Sequence, residues 1–184
     1  MVSRRGAAPP GVRRGRSGST VSPLALAREI AESVPDPELP MLTLADLGIL
    51  RDVGADGNRV IVSLTPTYSG CPALAEMRRD LTLRLEAADL DAEVRTVLSP
   101  AWSSDWITAA GRRKLAAAGI APPLPAPPRR GAVPLALTPV PRDVACPLCG
   151  APGAEQTAAF GATACKALYR CAACREPFEY LKEI

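Results

Sequence analysis

The chain has 184 residues, enough for one domain and a small second unit, and it contains no apolar run of the length that predicts a membrane helix. Its formal net charge of +3 comes from five arginines in the first 20 residues, where no acidic residue occurs. Removing these five from the 22 basic residues leaves 17 against 19 acidic residues, which argues against nucleic-acid binding. Six cysteines without a secretory signal sequence predict a reducing, cytoplasmic location, where clustered cysteines bind metal.

Residues 1–21 are rich in arginine, glycine and proline, a composition that predicts a disordered tail. A helix is predicted to begin after Ser22, its N-cap, with Pro23 in the first turn and apolar residues at helical spacing as far as Val34. The stretch PDPELP at 35–40 contains three prolines and therefore ends this helix.

Alternating and turn-forming residues predict a small sheet in the next part of the chain. Residues 47–53 and 59–65 flank the turn-rich stretch GADGN and predict an antiparallel hairpin. An amphipathic helix is predicted from Cys71 to about Ala88, and AEVRTVL at 92–98 predicts a third strand. A strand–helix–strand crossover joins parallel strands, so the predicted sheet is mixed.

The remaining elements predict the division of the chain into units. A last helix in the stretch DWITAAGRRKLAAAG ends at Gly119 and completes an α+β domain over residues 22–122, with the order α-β-β-α-β-α. Residues 123–142 are proline-rich and predict a spacer. Residues 143–184 are too few to bury a core of their own and predict a four-cysteine zinc-ribbon domain.

The zinc ribbon is predicted from two C-x2-C pairs separated by 21 residues: Cys146 with Cys149, and Cys171 with Cys174. Two residues between thiolates allow a tight turn to direct both sulfurs at one tetrahedral ion. The chain contains no histidine, so a mixed cysteine–histidine site is excluded. Structural zinc is the predicted occupant, and a rubredoxin-like iron centre is the rival because it uses the same ligands.

Cys165 lies six residues before Cys171 and has no partner in a C-x2-C pair. It is interpreted either as a small buried apolar residue or as a residue with a secondary role in metal handling or redox chemistry.

Cys71 lies far from the other cysteines, at the predicted start of a helix. The partial positive charge of a helix N-terminus predicts a lowered thiol pKa, hence a nucleophile or a soft-metal ligand; a buried thiol packed under the helix is the alternative. Without histidine there is no base for a cysteine protease-like dyad. Asp36, Glu38 and Asp105 are the loop carboxylates that could act as further metal ligands near this thiol.

Four stretches together resemble the PaaD family of accessory proteins of the phenylacetyl-CoA epoxidase system in aerobic phenylacetate degradation. They are DPELPMLTLADLGILRDV, TPTYSGCPA, SPAWSSDWITAAGRRKLAAAGIAPP and FGATACKALYRCAACREPFEY. The N-terminal domain also resembles the SufT-like family of iron–sulfur assembly factors, whose acidic DPE element and helix-opening cysteine match Asp36, Pro37, Glu38 and Cys71.

The resemblance implies a non-catalytic accessory protein that helps to assemble or maintain a di-iron or iron–sulfur centre of the epoxidase system. Cys71 would bind iron or a cluster transiently, and other oxygenase and reductase subunits would be the partners. A single thiolate cannot hold a cluster, so a homodimer or ligands of the client protein would complete the site. The alternative is a purely structural subunit of the oxygenase, in which zinc only stabilises the fold.

Overall fold

The computed structural model describes residues 22–126 and 143–184, so the predicted tail and most of the predicted spacer lie outside the described residues. In chain order the elements are α1 (Pro23–Ser33), β1 (Leu50–Asp56), β2 (Arg59–Leu64), α2 (Leu74–Glu86), β3 (Ala92–Thr96), a 3₁₀ turn (Ser104–Trp106), α3 (Ala109–Ala117), β4 (Ile120–Ala121), β5 (Glu155–Ala158), β6 (Lys166–Arg170) and β7 (Pro177–Leu181). In these two ranges no helix is both long enough and apolar enough to cross a membrane.

The first helix and the hairpin confirm the sequence-based predictions. The hydroxyl of Ser22 accepts a hydrogen bond from the backbone N–H of Ala25, and Pro23 occupies the first helical position. Strands β1 and β2 pair antiparallel, and β1 extends to Asp56, so the turn is shorter than the predicted GADGN junction. Gly57 in this turn has φ +60°, a conformation that glycine adopts without a steric penalty.

Two predicted helices begin later than expected. Helix α2 begins at Leu74 rather than Cys71, because the carbonyl of Cys71 accepts a hydrogen bond from the N–H of Leu74 in a tighter turn before the helix. Helix α3 begins at Ala109, where the hydroxyl of Thr108 caps it; the residues before it form the separate 3₁₀ turn. The predicted stop of this last helix at Gly119, which has φ +76°, is confirmed.

The first sheet has the order β1-β2-β3, with β2 and β3 parallel across the α2 crossover, which confirms a mixed sheet. Its core is formed mainly by leucine, valine and isoleucine, with α2 contributing Met77, Leu81 and Leu85. Trp102 is also buried there, and its Nε1–H donates a hydrogen bond to the carbonyl of Leu47 at 2.9 Å. The N-terminal half is therefore an α+β domain, as expected.

The second sheet connects the two halves of the chain. Its order is β4-β7-β6-β5, and β4, which directly follows α3, pairs parallel with β7. We refer to residues 143–184 as the ribbon. The ribbon has a small aromatic core in which Tyr169 lies 6.0 Å from Phe178 and 5.2 Å from Tyr180, measured between ring centroids. This core was not expected for so short a segment; β4 and the paired aromatic rings provide it.

The ribbon also packs against the N-terminal domain through residues outside its own core. Cys165 and Leu181 are buried in the core of the N-terminal domain, and Ile184 packs against it. The backbone N–H of Ser104 donates a hydrogen bond to the carbonyl of Ile184 at 3.2 Å. This contact brings Cys165 to the region of the first domain that contains Cys71.

Candidate metal centre and thiol pocket

The four cysteines of the C-x2-C pairs lie together at one end of the ribbon. Their sulfur atoms all lie within 4.8 Å of one another, and no other group of three or more candidate ligands in residues 22–126 and 143–184 is as close. The sulfurs of Cys146 and Cys174 are 3.8 Å apart, and those of Cys149 and Cys171 are 3.6 Å apart. Sulfurs bound at about 2.3 Å to a tetrahedral ion would be about 3.8 Å apart. The four thiols therefore fit one tetrahedral metal ion.

The backbone around both pairs has the same hydrogen-bonding pattern. The carbonyl of Cys146 accepts from the N–H of Gly150, and the carbonyl of Cys171 accepts from the N–H of Arg175. Gly150 and Arg175 both have positive φ, 75° and 66°. Each pair is thus a tight turn whose following residue is left-handed. This repetition positions four sulfurs around one point.

Backbone N–H groups also prepare one of these sulfurs for metal binding. The N–H of Cys174 lies 3.4 Å from the sulfur of Cys171. This N–H, together with that of Ala173, holds the pKa of Cys171 well below its usual range. A thiolate is the form that binds metal, so the turn favours the required protonation state. The donor set suits zinc and iron equally.

A second group of candidate residues surrounds a cavity of about 20 Å³ between the N-terminal domain and the ribbon. Cys71, Asp36 and Glu38 reach it from the N-terminal domain, and Cys165 reaches it from the ribbon. Apart from Thr67, apolar side chains form the rest of its wall, among them Ile49 of the N-terminal domain. We refer to this cavity and its lining as the thiol pocket. It brings together the predicted thiol, both carboxylates of the DPE element and the unmatched cysteine.

The two carboxylates of the DPE element have different surroundings. Asp36 is buried, and its Oδ1 accepts hydrogen bonds from the backbone N–H groups of Glu38 at 2.9 Å and Leu39 at 2.8 Å. Its carboxylate therefore holds the loop in place. Glu38 is half-buried. Burial, and then the nearby Asp36, raise the pKa of Glu38. Because Oδ1 of Asp36 already accepts two backbone hydrogen bonds, Glu38 is the better candidate of the two to bind a metal ion.

The predicted lowering of the Cys71 pKa is wrong. The N–H groups of Ala73 and Leu74 do lower it, as a helix start should, but loss of solvent around the half-buried thiol is the larger effect. The nearby Glu38 and Cys165 raise the pKa further. The net result is a Cys71 pKa above its ordinary value. Cys71 is therefore protonated at neutral pH and needs a metal ion or a higher pH to become a thiolate.

Alkylation of Cys71 by iodoacetamide should be slow at neutral pH and should accelerate as the pH rises. The thiolate is the reacting species, and a raised pKa moves its formation to higher pH. Peptide mass spectrometry over a pH series, on protein with zinc in the four-cysteine site only, measures this rate at Cys71 alone. A rate that has already reached its plateau at neutral pH would contradict the raised pKa.

Cys165 is held in place on both sides. Its sulfur lies 3.1 Å from the hydroxyl oxygen of Thr163, and its carbonyl accepts a hydrogen bond from the N–H of Lys182 at 2.9 Å. Burial raises its pKa. Its neighbour Lys166 is also buried, and its Nζ lies 2.8 Å from Oε2 of Glu179. This ion pair of a buried lysine with a half-buried glutamate was missed from sequence. The two residues lie on facing strands, β6 and β7, whose pairing the sequence did not specify.

Asp105, the third carboxylate predicted from sequence as a possible ligand, lies elsewhere. Asp105 is exposed, does not line the thiol pocket, and accepts a hydrogen bond from the N–H of Ala126 at 3.0 Å. It is therefore not a candidate to bind a metal ion together with Cys71.

Comparison with known proteins finds two matched families, one in each half of the chain. A family described as "PaaD zinc beta ribbon domain" matches residues 131–182, and one described as "Iron-sulfur cluster assembly protein" matches residues 28–97. The chain is 40% identical over 157 residues to a protein of Escherichia coli (strain K12) that is named as a putative subunit of 1,2-phenylacetyl-CoA epoxidase. That match covers 83% of this chain and 88% of the relative.

Two solved structures are also similar to this chain. One is a domain of unknown function, DUF59, from Bacillus anthracis, at 28% identity and a TM-score of 0.46, covering 50% of this chain and 91% of that one. The other, from Mycobacterium tuberculosis, is described as associated with Fe–S complex assembly and repair; it has 28% identity and a TM-score of 0.33, and covers 59% and 96% of the two chains. From the match to the E. coli relative over most of both lengths, and from the two matched domains, the chain belongs to the PaaD family of phenylacetyl-CoA epoxidase subunits.

Proposed function

We propose that this chain is a non-catalytic accessory protein that helps to assemble or maintain the di-iron or iron–sulfur centre of a phenylacetyl-CoA epoxidase. The observation that carries the proposal is the thiol pocket, which is lined by Cys71 and Glu38, two residues of the segment matched by an iron–sulfur cluster assembly family. Cys71 would be a transient ligand of iron or of a cluster. The clients would be the oxygenase and reductase subunits of the same system.

The chemistry of the pocket suits metal handling better than catalysis. A thiol and a carboxylate combine a soft and a hard ligand, a combination that iron accepts. The raised pKa of Cys71 makes it a poor nucleophile at neutral pH, and the chain has no histidine to act as its base. Metal binding displaces the thiol proton, so a bound ion can produce the Cys71 thiolate that the surroundings of the thiol disfavour. No catalytic residue is therefore assigned.

The ribbon has a separate role in this proposal. The metal at Cys146, Cys149, Cys171 and Cys174, zinc in the proposal, stabilises a unit whose own core is small. Leu148, next to the metal site, and Phe160 are exposed apolar side chains of the ribbon. They are suitable for docking to another subunit in the cytoplasm. A second copy of the chain, or ligands of the client, would complete a cluster held by Cys71.

The alternative function is that of a permanent structural subunit, which the same exposed apolar residues and the naming of the E. coli relative as a subunit also favour. Purifying the mature, fully metallated oxygenase from cells that express all subunits distinguishes the two functions. An assembly factor should be present at well below one copy per complex. One copy per active site in the mature complex would contradict the proposal and favour the structural role.

A further inference from the structure

The position of Cys165 is not explained by the metal site of the ribbon. Cys165 belongs to the ribbon in sequence, yet it is buried in the core of the N-terminal domain and not in the aromatic core of the ribbon. There it lines the thiol pocket with Cys71 and Glu38. Cys165 is close enough to Cys71 to contribute to the raised pKa of that thiol.

The backbone of the ribbon fixes Cys165 at the pocket. The residue directly precedes β6, and its carbonyl accepts a hydrogen bond from the N–H of Lys182, which directly follows β7. The preceding carbonyl, that of Ala164, accepts a hydrogen bond from the Nζ of Lys182 at 2.7 Å. Cys165 thus shares one pocket with a carboxylate and a second thiol, an arrangement that packing alone would not require.

We propose that Cys71 and Cys165 are the two thiolate ligands of a second metal site, which takes a thiophilic divalent ion such as ferrous iron. Glu38 is the third ligand from this chain. This inference rests on the proposed function and adds to it a ligand from the ribbon. On binding, each thiol releases its proton to solvent, and the sulfur lone pairs bind the ion without any change of oxidation state.

The size of the pocket agrees with one ion. A volume of about 20 Å³ is enough for a single small species. The ligand atoms of this pocket do not form a group of three within 4.8 Å, in contrast with the four cysteines of the ribbon. The site must therefore close around its ion, which lowers its affinity and allows release. A site whose ligands are already in place, like that of the four cysteines, holds its metal tightly. A site whose ligands must move to reach the ion can release that ion to another protein.

The test uses cobalt as a probe in the full chain. The four-cysteine site is first filled with zinc, which such sites prefer over cobalt. Cobalt(II) is then titrated anaerobically, and X-ray absorption at the cobalt edge counts sulfur ligands at the second site alone. We expect about two sulfurs per cobalt in the wild type. In Cys165→Ala we expect about one sulfur and an affinity at least about ten-fold weaker.

Matched variants separate the outcomes. Cys71→Ala should also lower the count to about one sulfur, whereas Ser69→Ala, an exposed residue of the same turn, should change nothing. Cys165→Ser keeps the volume of the side chain and serves if the alanine variant is unstable. An unchanged sulfur count in the Cys165 variants, or no second cobalt in the wild type, overturns the inference. If Cys71→Ala alone lowers the count, the inference fails while the proposed function stands.

Discussion

Cys171→Ser is expected to remove the metal from the ribbon and to unfold it. Cys171 is 1% exposed, and its sulfur is one of four that fit a single ion. Structural zinc contributes about 10–16 kcal/mol of apparent binding free energy in small zinc-finger peptides, far more than the aromatic core of the ribbon can replace. We expect the metal content to fall from about one ion per chain to nearly none, because three thiolates leave the site open.

Metal analysis, together with hydrogen exchange of β6 and β7, measures this effect. Protection in these strands should be lost, while α1 and the first sheet keep most of theirs. Cys165→Ala is the control for the zinc held by the ribbon and for strand protection, since it removes a buried thiol of the same unit that is not one of the four ribbon ligands. Full retention of metal and protection in Cys171→Ser would show that the four thiols are not a structural metal site.

Cys71→Ser is expected to abolish iron uptake beyond the ribbon site. In an anaerobic reconstitution with ferrous iron and sulfide, the zinc-loaded wild type should bind additional iron. The serine variant should bind at least about ten-fold less, because a hydroxyl is a poor ligand for a soft metal site. The folded structure should change little, since Cys71 is half-buried at a turn and serine is of similar size.

Ser69→Ala is the matched control for this reconstitution, because it lies in the same turn but is exposed. It should bind iron like the wild type. Equal iron uptake by wild type and Cys71→Ser would show that Cys71 is not a ligand of the additional iron.

Short-range patterns predicted much of this molecule. The two C-x2-C pairs identify their own turns, since two residues between cysteines leave few backbone conformations, and the structure gathers their sulfurs as expected. The cap at Ser22 and the stop at Gly119 are equally local and were also predicted correctly. The mixed sheet followed from the crossover rule.

Long-range contacts could not be predicted in the same way. The sequence placed Cys71 and Cys165 in different units, and their approach depends on how β4 pairs with β7. No periodicity or spacing specifies that pairing. The prediction of a lowered Cys71 pKa was wrong for the same reason. The effect of the helix terminus is local in sequence, whereas the burial that outweighs it depends on the tertiary fold.

The iron content of the oxygenase tests the central claim most directly. The oxygenase and reductase subunits would be produced in iron-limited cells with the wild-type chain, with Cys71→Ser or with Ser69→Ala, and then purified for metal analysis and spectroscopy. We predict that oxygenase or reductase made with Cys71→Ser contains several-fold less of its metal centre, while Ser69→Ala matches the wild type. Fully loaded clients alongside Cys71→Ser would contradict an assembly role and leave a structural subunit.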